Sequence, residues 1–407
     1  MKPRLLFVSP RFLFPMDQGG KIRTANILRN MKGGLFEITL VSPAPADHAR
    51  FQAEIDGVCD RFLHWPEKPA SQVKRVLSLL GRYPVAVASD ISAPGRSVVR
   101  AALAARPDVA VVDFPHTDVL MPRRVGCPPA GCPTVMFTHN VEAEIFERHA
   151  IQAKGLMRRV WQTESRKMDW FEGEALRRHD VAIAVSDRDR TALAKRYGLQ
   201  RVEVIDTGVD LDFFAPQPVA APPALDGGTL IFTATMSWPA NVDAIHFLLD
   251  EVFPILVKAR PRIAATIVGR NPPPTLAEKV RTRGLNVTLT GFVDDIRPYV
   301  AAADVYVIPL QVGSGTRIKA FEAMAMGRPV VSTTIGVEGL EVTDGTHYLR
   351  ADDAVSFAAG VLRLLDDAEL RVRLAGNARG LIEEKFSWKH VASQFEAICS
   401  RAMASTK

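Results

Sequence analysis

The chain has 407 residues, 47% apolar and 24% charged, and no run of about 18 apolar residues. That profile argues against collagen-like, disordered and membrane-spanning classes, and the length predicts two domains, since single cores stop growing near roughly 250–300 residues. The net charge of +6 is uneven: residues 1–214 hold 31 Lys+Arg against 25 Asp+Glu, and the remainder holds 20 against 20, so the halves are expected to meet different partners.

From the N-terminus, MKPRLLFVSP is too short an apolar stretch for a signal peptide and reads as a first strand, which predicts a cytoplasmic protein. The cysteines Cys59, Cys127, Cys132 and Cys399 suit a reducing compartment. CPPAGC at 127–132 has no second Cys or His pair at ligand spacing, so it reads as a loop with two free thiols and no metal.

RLLFVS, FEITLVS, VAVVDF, TVMFTH, VAIAVS and VEVI are short, β-branched-rich runs that suit strands buried on both faces of a parallel sheet. Helical stretches such as KIRTANILRNM and SDRDRTALAKRY separate them, the second opening on a Ser N-cap. After the Pro-rich 216–228 the alternation resumes with TLIFTAT, RIAATIVG, NVTLTGF, DVYVIPL and RPVVST, and from about 353 the pattern is helical. The expected class is α/β, with two Rossmann-like doubly wound domains facing a central cleft. The expected boundaries are 1–215, a linker at 216–228, 229–386, and a C-terminal helix and tail at 387–407.

Ligands of such sheets bind beyond the carboxyl ends of the strands. Three loops belong there. DQGGKIRTA places Gly19 and Gly20 at a helix start, where backbone N–H groups could meet a phosphate or where glycines simply serve the turn. It is neither GxGxxG nor GxxxxGK[ST]. THNVEAE sets His139 directly after a strand, where it could hydrogen-bond a sugar, stabilise developing charge, or merely cap the next helix. VGSGTRIKAFEAMAMGRPVV combines Gly313, Ser314, Gly315 and Thr316 with Arg317, Lys319 and Glu322. A helix start with two cations suits an anion. Glu322 could pair with Lys319, or its carboxylate could accept both hydroxyls of a ribose diol. The stretch therefore reads as a nucleotide site, diphosphate at the loop and ribose further in.

GSGTRIKAFEAMAMGRPVVST resembles the donor segment of family 4 (group 1) glycosyltransferases of the GT-B fold. The GG loop near 19, THN at 138–140, SDRD at 186–189, VIDTGVDLDFF at 204–214 and TGFVDDI at 290–296 follow in the family's order, with the nearest likeness to sugar transferases of bacterial exopolysaccharide clusters. The resemblance implies a retaining, metal-independent and cofactor-free transfer of sugar from a nucleotide sugar to a saccharide or lipid-linked acceptor. By the same resemblance the second domain holds the nucleotide, Val293 lies at the base, and the last helix packs back on the first domain. Two departures stand out. Ser314 replaces the first of the family's two glutamates, and TMSWPANVDA lacks its basic pair, leaving Arg317 and Lys319 to neutralise the diphosphate. A sugar-nucleotide epimerase, a phosphorylase and a non-catalytic nucleotide-sugar binder remain open alternatives.

Residues 68–106 carry seven cations, Lys68, Lys74, Arg75, Arg82, Arg96, Arg100 and Arg106, against one acid, Asp90. QVKRVLSLLGRYPVAV places Val73, Val76, Leu77 and Leu80 on one helical face. That face either packs on the sheet or lies on an anionic membrane surface. Nucleic acid is not expected, for no aromatic-rich basic motif accompanies the charge.

Overall fold

The computed structural model describes the chain except residues 1, 68–71, 123–131, 218–226, 237, 313–317 and 406–407, and the side chains of 72–74 and 152. It forms two compact units, Met1–Asp206 with Trp388–Lys407, and Thr207–Ser387.

In the first unit, β1 (Arg4–Val8), β2 (Glu37–Ala44), β3 (Arg61–Pro66), β4 (Val109–Asp113), β5 (Thr134–Phe137), β6 (Val181–Ala184) and β7 (Val202–Val204) form one sheet. Its order is β3-β2-β1-β4-β5-β6-β7, and every neighbouring pair is parallel. β4, β5 and β6 are buried at every position, as strands covered on both faces by helices must be. β3 escapes a reading by apolar runs. It is an edge strand, largely exposed, with His64 and Pro66 inside it. The helices used below are α1 (Gly19–Met31), α2 (Gln72–Ser78), α3 (Glu142–Gln152), α4 (Gly155–Arg177) and α5 (Asp187–Tyr197). α2 is shorter than the periodicity suggests: Leu79 and Leu80 already donate to Val76 and Leu77 carbonyls in a turn.

In the second unit, β8 (Thr229–Thr233), β9 (Ala264–Val268), β10 (Val287–Gly291), β11 (Val305–Ile308), β12 (Val330–Ser332) and β13 (Leu349–Arg350) run parallel in the order β10-β9-β8-β11-β12-β13. β13, two residues long, is below the length at which an apolar run can be recognised. α6 (Pro239–Phe247), α7 (Ile318–Ala325), α8 (Ala354–Asp366) and α9 (Ala368–Lys385) belong with it. The units part at 206/207, ahead of the Pro-rich stretch. Val209 is buried in the second core, and its N–H reaches the Phe386 carbonyl at 2.8 Å. The last helix, α10 (Trp388–Ala404), returns to the first unit, where Phe395 meets Phe7 and Phe137 at ring separations of 6.4 and 5.2 Å. Burying one such ring contributes about 1.5–3 kcal/mol.

Each sheet reverses its strand order beside its first strand, at β1/β4 and at β8/β11. The chain diverges at such a point and leaves a crevice beyond the carboxyl ends.

One buried carboxylate sets the loop after β5. Val141 offers no side-chain cap to α3. Instead Glu172 of α4, fully buried, accepts the N–H groups of Glu142 and Ala143 at 2.9 and 3.0 Å and the Tyr197 hydroxyl at 2.8 Å. Glu172→Ala leaves three donors without an acceptor and should lower stability by at least about 2 kcal/mol in chemical denaturation. Glu172→Gln, which keeps one acceptor oxygen, should recover part of that loss.

Candidate functional site

β4 ends on Asp113, which is only 1% exposed. Three donors reach its carboxylate: Ser9 Oγ just past β1 at 3.0 Å, Thr24 Oγ1 of α1 at 3.2 Å, and His139 Nε2 just past β5 at 2.7 Å. Because Nε2 donates its proton, Nδ1 carries the lone pair, and it faces the Arg23 guanidinium at 3.4 Å. Burial holds the imidazole pKa below its ordinary value, despite the pull of Asp113 in the other direction. The ring is neutral and both nitrogens are engaged inside the protein. His139 therefore acts on its surroundings by way of Asp113 and the aromatic ring stacked on it.

That ring is Phe114. It lies 4.0 Å from His139 at 15° and 5.1 Å from His116 at 30°, on a backbone of φ 65° and ψ 141°. A positive φ at an aromatic residue costs on the order of 1–3 kcal/mol and persists only where the surroundings impose it. Here the Phe114 N–H is tied to the Phe137 carbonyl at 2.8 Å. The consequence is a cavity of about 290 Å³ at the β1/β4 crevice, lined by Arg11, Gln18, Gly19, Gly20, Lys21, Asp113, Phe114 and His116.

The two glycines have different reasons to be glycine. A Cβ on Gly20 would lie 2.6 Å from Phe114 Cζ, so position 20 answers to the ring. At Gly19 a Cβ would meet nothing within 4 Å, and the first turn of α1 stays open to a ligand. Lys21, held by Asp17 at 3.0 Å, and the exposed Arg11 add positive charge beside that helix start. An anionic or polyhydroxylated group fits such a wall. Burial pushes the His116 pKa down to about 3 and the carboxyl of Asp90, 3.6 Å away, up to about 7, so His116 is neutral. Sequence reasoning passed over Arg11, Phe114 and His116. The signal was present, since FPH follows VAVVD just as THN follows TVMF.

In the second unit Glu322 and Lys319 lie on α7, the helix after β11. Lys319 does not form an ion pair with Glu322. Its Nζ donates to Asn241 Oδ1 of α6 at 3.0 Å and stands 4.5 Å above the Phe232 ring of β8. The two helices that leave the β8/β11 crevice are thus joined through a cation. Glu322 is half-buried, and among the described residues its carboxylate accepts no hydrogen bond. Burial drives its pKa up to about 7, against the opposing field of Lys319. Gly313, Ser314, Gly315, Thr316 and Arg317 lie outside the described residues.

Val293 follows β10 and packs half-buried on the second core. Beside it the exposed Phe292 ring carries the Arg270 guanidinium 4.2 Å above its face. A second cavity, about 470 Å³, is lined by Asp243, His246, Asp250, Glu251, Asp352 and Asp353. Three of these carboxylates have structural partners. Asp250 holds Lys279 and Arg283, Asp352 holds Thr334, and Asp353 caps α8. Among the described residues no cluster of three or more His, Cys, Asp or Glu is arranged to hold a metal ion, and no helix is long and apolar enough to cross a membrane.

Residues 18–213 match the family model described as Glycosyltransferase Family 4, and residues 227–367 match Glycosyl transferases group 1. A phosphatidyl-myo-inositol mannosyltransferase of Mycolicibacterium smegmatis is 30% identical over 239 residues, 57% of this chain and 61% of that protein. An uncharacterized 44.6 kDa protein in the cps region of Klebsiella pneumoniae is 25% identical over 171 residues, 40% of this chain and 44% of that one. The alignments thus span 44–61% of these two relatives. The fold is shared with Anabaena Alr3699/HepE in complex with UDP, at a TM-score of 0.69 and 17% identity over 98% of this chain and 100% of that one.

The elevated Glu322 pKa has a consequence for stability. Unfolded, the carboxyl titrates near 4.5, whereas folded it keeps its proton to about 7. Between those values the folded chain binds more protons, so stability falls as pH rises through the window. The loss is at most about 3 kcal/mol, reduced by the solvent that reaches the group. Glu322→Gln, which cannot ionise, should melt at the parental temperature near pH 4 and above it at pH 8. Equal melting temperatures at pH 8 would show that burial does not strain this carboxylate.

Proposed function

The chain belongs to the family 4, group 1 glycosyltransferases, and on that premise we propose that it transfers a sugar from a nucleotide sugar to an acceptor, with retention at the anomeric carbon and without a metal. The bond between the anomeric carbon and the diphosphate oxygen breaks, a bond to an acceptor hydroxyl oxygen forms, the nucleoside diphosphate leaves as the anion, and the hydroxyl proton passes to it or to solvent. The nucleotide sugar is a substrate; no resident cofactor takes part.

The observation that carries this reading is Glu322. A carboxylate kept half-buried in the helix that follows a Rossmann-like strand, without a hydrogen-bond donor among the described residues, suits an incoming pair of hydroxyls. Ribose provides such a pair. Lys319, pinned by Asn241, supplies fixed positive charge near the start of α7 for the diphosphate that leaves. Preorganised charge of this kind often supplies the largest catalytic term, and it takes the part a metal plays elsewhere. In the first unit the cavity of Arg11, Gly19, Lys21 and His116 takes the acceptor side, and His139 positions Asp113 and Phe114 at its wall.

HepE has been seen with UDP and with UDP-glucose, and one relative is a mannosyltransferase, so glucosyl and mannosyl nucleotides are the first donors to try. The relative in a cps region supports an acceptor in exopolysaccharide or glycolipid assembly. A nucleotide sugar present at about 100 times its dissociation constant should stabilise the protein by roughly 2.7 kcal/mol in a thermal screen. Analysis of products from a labelled donor then separates transfer from isomerisation, phosphorolysis and binding alone.

Two variants test the assignments. Glu322→Ala should weaken nucleotide affinity by about 1.5–3 kcal/mol in calorimetry while the protein remains folded. Unchanged affinity would exclude the ribose role. His139→Ala should bind free nucleoside diphosphate nearly as the parent does and lose turnover by about tenfold or more, an effect on kcat rather than on nucleotide affinity. Equal losses in both would make His139 a purely structural residue.

A further inference from the structure

Apolar side chains whose periodicity suits a core stand in solvent on one flank of the first unit. Val76 and Leu77 of α2 are 64% and 63% exposed, and Leu80 in the turn after it is 91% exposed. Where α3 gives way to α4, Ile151, Leu156 and Met157 are exposed as well. The two groups share a flank because the segment after α2 crosses α4. Lys167 donates to the Leu79 carbonyl at 2.7 Å, Glu164 accepts from the Val85 N–H at 2.6 Å, and Arg82 lies 4.3 Å above the Trp170 ring. Met157 precedes Glu164 by seven residues, two helical turns, and so lies on the same face about 10 Å along the axis.

Cations surround these tips and carboxylates are missing. Arg75, Arg82, Lys154, Arg158 and Arg159 are exposed, and among the described residues none of them forms an ion pair. No Asp or Glu occurs in residues 72–89 or 148–163. The carboxylates of the neighbouring helices are engaged elsewhere: Glu164 with Lys167, Glu144 with Arg148 and Arg188, and Glu147 with Arg196.

We infer that this flank seats the protein on an anionic lipid bilayer, with Leu77, Leu80, Leu156 and Met157 entering the headgroup region and the five cations meeting lipid phosphates. Charge complementarity selects this occupant. A second copy would bring the same positive field against itself. Nucleic acid would find aliphatic tips, on which bases do not stack. The surface is independent of the sugar-transfer reading and would hold for a protein that only binds nucleotide sugars.

The test is sedimentation of the full chain with vesicles of phosphatidylcholine alone and of phosphatidylcholine with phosphatidylglycerol, at low and high salt. Binding is expected to the anionic vesicles only and to fade as salt rises. Each cation near such a surface tightens binding about fivefold, so the triple variant Lys154→Gln, Arg158→Gln, Arg159→Gln should bind about a hundredfold more weakly. The pair Leu80→Ser, Met157→Ser should lose about tenfold or more and keep its preference for anionic lipid. All five positions are exposed, so the variants should melt with the parent. Equal sedimentation of the parent with neutral and anionic vesicles overturns the inference without recourse to any variant. So does parental binding by the triple variant. Concentration-dependent self-association that Leu80→Ser, Met157→Ser abolishes, with no lipid binding by the parent, would also overturn it in favour of a second copy.

Discussion

The first unit is organised around a carboxylate that water hardly reaches. An isolated buried charge is prohibitively costly, and Asp113 is tolerated because Ser9, Thr24 and His139 all donate to it. Those donors come from the end of β1, from α1 and from the end of β5, so satisfying one charge draws three separate chain segments to the same point. The aromatic wall of the cavity hangs on this. The hydrogen bond orients the imidazole, the imidazole stacks on Phe114, and Phe114 occupies the space that a side chain at position 20 would need.

The second unit treats its carboxylate in the opposite way. Glu322 is half-buried and accepts no side-chain hydrogen bond among the described residues, while the Lys319 ammonium donates to Asn241 and stands over the Phe232 ring. Burial raises its pKa against the field of Lys319, and its hydrogen-bonding capacity is unfilled among the described residues. A saturated carboxylate holds a structure together, whereas an unsaturated one is a cost that a ligand with two hydroxyls can relieve. Among the described residues, Asp113 and Glu322 therefore differ in how their carboxylates are satisfied, the one by three donors and the other by none.

The excess of positive charge in the first half divides in a similar manner. Arg178, Arg188 and Arg196 are taken up by carboxylates of neighbouring helices. Arg75 of α2 and the cations around the start of α4, Lys154, Arg158 and Arg159, form no ion pair among the described residues, and the stretches that carry them contain no acid. Net charge alone could not separate these groups, since pairing depends on which helices pack together.

The sequence by itself determined the class of fold. Runs such as VAVVD and VYVI are apolar at every position because both faces of a parallel strand are covered, and that requirement is local enough to be read residue by residue. The reversal of strand order and the placement of Gly19, His139, Lys319 and Glu322 near carboxyl ends follow from the same alternation. The edge strand β3, with exposed positions and a proline, satisfies no such requirement and left no comparable trace. Only the tertiary structure decided that His139 is turned inward to Asp113, that Gly20 answers to Phe114, and that α3 takes its cap from Glu172. It also decided that Val76 and Leu77 of α2 face solvent rather than the sheet. The partners of these contacts are far apart in sequence, 104 residues for Ser9 and Asp113 and 26 for Asp113 and His139. Local periodicity records which positions are buried in a strand or helix; which distant group meets a buried charge is settled only when the sheets close.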